Sequence, residues 1–202
     1  MTVDASRQVV SLPSDQFDLA IRSGRSPWPN LSCDLLGQVS LVPVGTPHYV
    51  RNISQGESLD WSRATRIQVS PTLHEDWEEW ETYSSKVQID ASPARKLVVG
   101  TSKLALEAAA GGLGIAMGRS PLIDDDLAAG RLVVATDCAV PAPTGYWLVK
   151  PASVEKRREI VAFRNWILEE TSRLKWIPSP TLWLKSPPHY PRKSPFNEHK
   201  PR

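Results

Sequence analysis

Two adjacent hydroxyls, Thr101 and Ser102, open the stretch of this chain best suited to hold a small polar molecule. They lead the run TSKLALEAAAGG, where Leu104, Ala105, Ala108 and Ala109 fall at helical spacing, so either hydroxyl is a candidate N-cap. A helix starting there presents hydroxyls and backbone N–H groups, which suits an anionic or polar ligand. Gly111-Gly112 can close the helix, and close helix–strand packing explains these glycines and Gly114 equally well. A second polar point is Arg22-Ser23-Gly24, just past the apolar run FDLAI at 17–21. Open α/β sheets place ligands beyond the carboxyl ends of their strands. Covalent and metal chemistry find less support. Cys33 and Cys138 have no histidine near them in sequence, and His48, His74, His189 and His199 are scattered. No phosphate loop of the Walker kind is present. GGLGIAMG follows a helix rather than a strand, the wrong context for a dinucleotide fingerprint. EDWEEWETY at 75–83 is acidic, but its carboxylates crowd together with only His74 at hand, which is not a calcium-type ligand set. No catalytic residue, metal or cofactor is therefore expected.

The elements that must position these residues alternate between strand and helix, which predicts an α/β fold. Strands are expected weakly at 2–10, then at Phe17–Ile21, Leu31–Val44, Arg66–Ser70, Lys86–Asp90, Lys96–Gly100, Leu113–Met117, Arg131–Ala135 and Gly145–Val149. Gly118 and Pro121 should end the strand at Met117, and Pro141–Thr144 reads as a loop. Short helical segments are expected within His48–Trp61 and at Asp124–Gly130. Trp77, Trp80 and Tyr83 fit either a helix face or a loop and strand. Val154–Glu170 is the clearest amphipathic helix, with Val154, Ile160, Val161, Phe163, Trp166 and Ile167 on one broad face. If the chain crosses between lobes near Val44–Pro47 and returns near Tyr146–Val149, the lobes are discontinuous and enclose a cleft.

Composition narrows the function classes. The chain has 202 residues, enough for one large domain or two small lobes. No run reaches the length of a membrane span, and MTVDASRQVV lacks the pattern of a secretory signal, so a cytoplasmic protein with two independent buried thiols is expected. The formal charge of +2 hides an asymmetry. Residues 171–202 carry seven Lys/Arg, one Glu and seven of the 18 prolines, a net charge of +6. The remaining 170 residues carry 17 Lys/Arg against 21 Asp/Glu, a net charge of −4. The body is thus no nucleic-acid platform, and the tail, residues 173–202, cannot bury enough apolar surface to order itself. By itself the chain should bind DNA only weakly and in a salt-sensitive manner, through that tail; promoter binding that resists salt would contradict this.

Several segments, in order, resemble one family. FDLAIRSG (17–24), PWPNL (27–31), LVPVGTP (41–47), ALEAAAGGLGIAMGRSPLIDDDLAAGRLV (105–133), GYWLVKP (145–151) and AFRNWILEE (162–170) resemble the effector-binding domain of LysR-type transcriptional regulators. The branch is that of the glycine-cleavage activator and the β-lactamase regulator, and the resemblance covers roughly residues 5–172. It implies two Rossmann-like lobes of the type 2 periplasmic-binding-protein kind, with the first lobe incomplete. Lobe 1 would comprise 1–45 plus 149–172, and lobe 2 would comprise 46–148. A small effector would bind between them to control transcription. By position, the family's ligand contacts fall on Arg22, Ser23, Thr46, Thr101, Ser102 and Tyr146. Arg22 could neutralise a carboxylate and Tyr146 could donate a phenolic hydrogen bond; equally, Arg22 could pair with a neighbouring acid, Tyr146 could pack its ring, and Ser102 could serve as a cap.

The family's helix-turn-helix and linker helix are not found in residues 1–16, and the first strand and helix of the effector domain are missing from the pattern. DNA contact would then need a separate N-terminal domain, and homodimerisation would be weakened. Three alternatives to a sensory domain stand beside it: an enzyme on the same scaffold, which lacks a catalytic set; a solute-binding protein, which should carry an export signal; and a truncated remnant.

Overall fold

The computed structural model describes residues 2–4, 10–12, 16–55, 58–70, 79–88, 92–93 and 95–174. Its centre is a 15-residue strand, β2 (Leu31–Gly45), in which Val39–Gly45 are all buried. A strand with neighbours on both edges and helices on both faces reads as a continuous apolar run, and LVPVG does so. On one side β2 pairs antiparallel with β9 (Val140–Pro151), which in turn pairs antiparallel with β1 (Ala20–Gly24). On the other side it pairs with β7 (Ile115–Ser120) and with the short β8 (Val133–Val134). Beyond β7 lie β5 (Thr65–Val69) and β6 (Arg95–Val99), both running parallel to their neighbours. The seven strands form one sheet in the order β1-β9-β2-β7-β5-β6, with β8 beside β2. A two-stranded ribbon, β3 (Ser54–Gln55) with β4 (Ser58–Leu59), stands apart.

Parallel neighbours need crossovers, and helices supply them. The helix α2 (Glu79–Val87) lies between β5 and β6, and α3 (Ser102–Ala110) lies between β6 and β7. On one face Trp80 and Tyr83 of α2, with Val50 and Ile53 of α1 (Pro47–Ile53), pack on Val39, Leu41, Ile115 and Met117. On the other, Ala105 and Ala109 of α3 pack with Val42, Val44, Ile67 and Ala116. Ile123, which precedes α4 (Asp124–Ala128), joins this second cluster. The even and odd positions of β2 divide between the two cores, as the pleat requires. The last helix, α5 (Arg158–Ser172), lies along β2.

Caps set the helix ends. Thr46 Oγ1 accepts from Tyr49 N at 3.2 Å, with Pro47 in the first turn. At the end of α3, Gly112 takes φ +77°, Leu113 N bonds Ala108 O at 3.1 Å and Gly112 N bonds Ala109 O at 2.9 Å. This is a Schellman closure, and its left-handed residue favours glycine.

Several expectations are corrected. The strand expected at Phe17–Ile21 is Ala20–Gly24, so Arg22 and Ser23 lie within it. Of 2–10, the described residues 2–4 and 10 are not strand. Lys86 and Val87 end α2 rather than begin a strand, and 89–90 lie outside the described residues. Gly118 is interior to β7. Pro141–Thr144 is strand, because β9 has no partner on its outer side there and the missing proline donors cost no ladder bond. Cys138 is exposed, not buried. In α5, which begins at Arg158, Ile160 is buried but Val161 is 39% and Trp166 52% exposed, so the predicted face is only partly covered. The region 75–78 and the basic tail from 175 onward lie outside the described residues.

The pairing of β2 with β9 shifts register twice, between Leu35 and Gly37 and between Gln38 and Ser40. Such bulges bend and twist a strand. Gln38 Nε2 secures the place by donating to Ala142 O at 2.6 Å and Thr144 O at 2.8 Å.

Candidate functional site

A cavity opens at the carboxyl end of β5, where the chain leaves the sheet and where α3 begins. Gln68, Glu79, Trp80, Ser102 and Met117 contribute to its wall. Trp80 is fixed from two sides: its Nε1 donates to Ile67 O at 3.0 Å, and its ring meets Trp61 edge-on at 5.8 Å. The guanidinium of Arg66 lies 5.6 Å from the Trp80 ring centre, and its Nη2 donates to Gln68 Oε1 at 3.1 Å. Gln68 is thereby oriented at the cavity wall. Thr101 caps α3, its Oγ1 accepting from Leu104 N at 3.1 Å, while Ser102 in the first helical turn faces the cavity.

Glu79 adds a carboxylate. It stands in the first turn of α2, 3.3 Å from Nη1 of Arg119, whose side chain is almost fully buried. Nη2 of Arg119 donates to Ser23 Oγ and to Thr144 Oγ1, each at 3.2 Å. Three strand spacings separate β1 from β7 in the sheet order, about 14 Å in a flat sheet. An arginine of β7 meets a serine of β1 because β2 and β9 bend at the bulges and bring the two ends of the sheet face to face.

The six residues singled out by sequence sit as follows. Ser102 lines the cavity and Thr101 caps the helix beside it. Ser23 and Tyr146 are opposite partners across β1 and β9, and Ser23 belongs to the Arg119 cluster. Tyr146 packs against the core cluster of Val39 and Met117. Arg22 is turned to other work: its Nη2 donates to Val10 O at 2.6 Å and its guanidinium lies 5.8 Å from the Trp28 ring centre. Thr46 caps α1 and lies beside Gly112, so α3 separates it from Ser102. Arg119, Glu79, Gln68 and Thr144 were missed. A sign existed for Arg119, the one charge in the apolar strand IAMGRS, but its partners lie 96, 25 and 40 residues away.

The groups gathered are hydroxyls, an amide, a carboxylate and a guanidinium. They can hold a polar molecule, and no thiol or imidazole lines the cavity. The family model for the LysR substrate binding domain matches residues 1–172. The chain belongs to this family. Among curated relatives of the LysR chain, the glycine cleavage system transcriptional activator of Escherichia coli K12 is 27% identical over 161 residues, covering 79% of this chain and 51% of the relative. The transcriptional activator AmpR of Citrobacter koseri is 25% identical over 167 residues, covering 81% and 54%. The LysR chain therefore spans about half the length of the curated relatives it matches, and those relatives are transcriptional regulators. The effector domain of AmpR from Pseudomonas aeruginosa superposes with a TM-score of 0.66 at 24% identity, covering 83% of this chain and 77% of that one. Full-length LysG of Corynebacterium glutamicum with its effector Arg bound superposes at 0.57 with 16% identity, covering 78% and 52%. The fold is that of LysR effector-binding domains, the type 2 periplasmic-binding-protein fold.

Proposed function

We propose that this LysR domain is the sensory part of a cytoplasmic transcriptional regulator. It binds a small anionic or polar effector without transforming it, and DNA is contacted through a separate helix-turn-helix domain of a homodimer. The observation that carries this reading is the cavity at the carboxyl end of β5, walled by Ser102, Gln68 and Glu79. Ligands of open α/β sheets bind at that end, and the first turn of α3 offers its N–H groups there. The long strands β2 and β9 join a lobe of residues 1–45 plus 149–172 to a lobe of residues 46–148. Relatives that are transcriptional regulators favour this reading over a solute carrier of the same fold.

The test is thermal unfolding of the whole chain against amino acids, short peptides and dicarboxylates. A true effector at about 100 times its Kd should add about 2.7 kcal/mol of stability. Ser102→Ala should weaken binding about tenfold while leaving the unliganded melting temperature in place. Thr101→Val should cost about 1 kcal/mol of stability by itself, since it removes the α3 cap. Tyr146→Phe should change ligand response with little loss of stability. If no compound raises the melting temperature, or if Ser102→Ala leaves every shift unchanged, this site is not the sensor.

A further inference from the structure

Arg119 is 4% exposed, and its side chain joins three separate parts of the chain: Glu79 on α2, Ser23 on β1 and Thr144 on β9. Two of these partners are neutral hydroxyls. The third, Glu79, is itself part of the cavity wall. A guanidinium binds a carboxylate in its plane through paired donors, and Nη1 is the donor group that faces the cavity side. A second carboxylate arriving there meets Glu79 as a like charge, so the two compete for one cation.

We infer that Arg119 reads the effector's carboxylate and conveys its arrival to the β1 edge, with Glu79 as the built-in competitor that holds the site while it is empty. This rests on the sensory reading of the cavity given above. When the effector carboxylate takes Nη1, Glu79 is released. The guanidinium then reorients to bond the newcomer, and Nη2 changes its hold on Ser23 and Thr144. The effector class that follows is a carboxylate small enough to reach from Ser102 to Arg119.

The probe is succinate, with its affinity for the full chain measured by calorimetry at constant ionic strength. Hydrogen exchange of the 17–24 segment is followed in parallel. Glu79→Gln removes the competitor and should tighten succinate about tenfold. Glu79→Gln combined with Arg119→Gln should lose that gain. Glu79→Gln combined with Arg119→Lys keeps a cation but not the planar fork, so exchange at 17–24 should no longer respond even at succinate saturation, whereas it responds in Glu79→Gln alone. The Arg119→Lys double variant also answers the question if the Arg119→Gln one fails to fold. A gain that survives in Glu79→Gln/Arg119→Gln overturns the inference. So does an exchange response that persists in Glu79→Gln/Arg119→Lys. If Ser102→Ala weakens succinate but Glu79→Gln leaves it unchanged, the sensory cavity stands and the role of Arg119 falls. If succinate binds none of these proteins, both fall.

Discussion

Asp34→Asn is expected to lower the unfolding free energy by about 3–5 kcal/mol, because it strands a buried cation. Lys150 is completely buried on β9, and its Nζ donates to Asp34 Oδ2 at 2.7 Å. Arg164 of α5 grips the same carboxylate, Nε donating to Oδ2 at 2.8 Å and Nη2 to Oδ1 at 2.5 Å. Without Asp34, Lys150 keeps only Ser32 Oγ at 3.3 Å and Glu155 at 3.8 Å. Arg164 is a third exposed, so Arg164→Ala should cost only about 1 kcal/mol. The Arg164 hydrogen bonds, chiefly, and those of Lys150 hold the Asp34 carboxyl down to about 2 from an ordinary 3.8, against the opposing effect of burial. The folded state therefore binds this proton more weakly than the unfolded one. The resulting stability is fully present above pH 3.8 and is lost as pH falls toward 2. Urea unfolding across this range should show a steep acid slope in the parent chain and a flatter one in Asp34→Asn. Equal slopes, or a loss of less than about 1 kcal/mol at neutral pH, would dismiss the clamp as surface decoration.

Gly114→Ala should cost about 3 kcal/mol, at the upper end of overpacking effects, despite adding a single methyl group. Gly114 is buried where β7 comes alongside β5. A Cβ there would run into the carbonyl oxygen of Thr65 and come within 3.1 Å of Ile67 Cγ1. The oxygen belongs to backbone, so relief requires moving β5, the strand that carries Gln68 to the cavity. Gly130→Ala is the contrasting case: nothing lies near its Cβ, and only its φ of +68° resists substitution, for about 1 kcal/mol. Melting curves of the two variants separate backbone collision from dihedral strain. Equal losses would remove the collision argument.

What the sequence disclosed was local or periodic. The run LVPVG declares a central strand, and LALEAAAGG declares a helix with its own stop. Ser102 was found because a helix start can be read from neighbouring residues. What escaped depended on distance or tertiary support. Pro141 and Pro143 suggested a loop, and only the absence of an outer partner for β9 at that point makes them tolerable in a strand. The end of α2 is polar and weakly patterned, and burial of Trp80 and Tyr83 decides it. Burial pushes the Tyr83 hydroxyl up to about 12, and it donates to Cys138 O at 3.0 Å, a pairing 55 residues apart. Arg22 stood at the right place for a ligand, yet the nearby Trp28 ring and Val10 carbonyl engage it. Asp34, Lys150 and Arg164 lie in three separate segments, and no window of sequence shows them meeting.

The paired bulges at Leu35/Gly37 and Gln38/Ser40 govern how force can travel through this domain. Because β2 and β9 remain bonded to each other on both sides of the bulges, the two ends cannot part like the covers of a book. They can only wring, as a ribbon held at both ends does. In a wrung ribbon the midline hardly moves and the rims sweep farthest. Here the rims are β1 and β6, at opposite borders of the sheet. A neighbour holding either rim would feel a rotation rather than a gap, and gripping that rim would resist the same rotation at the centre.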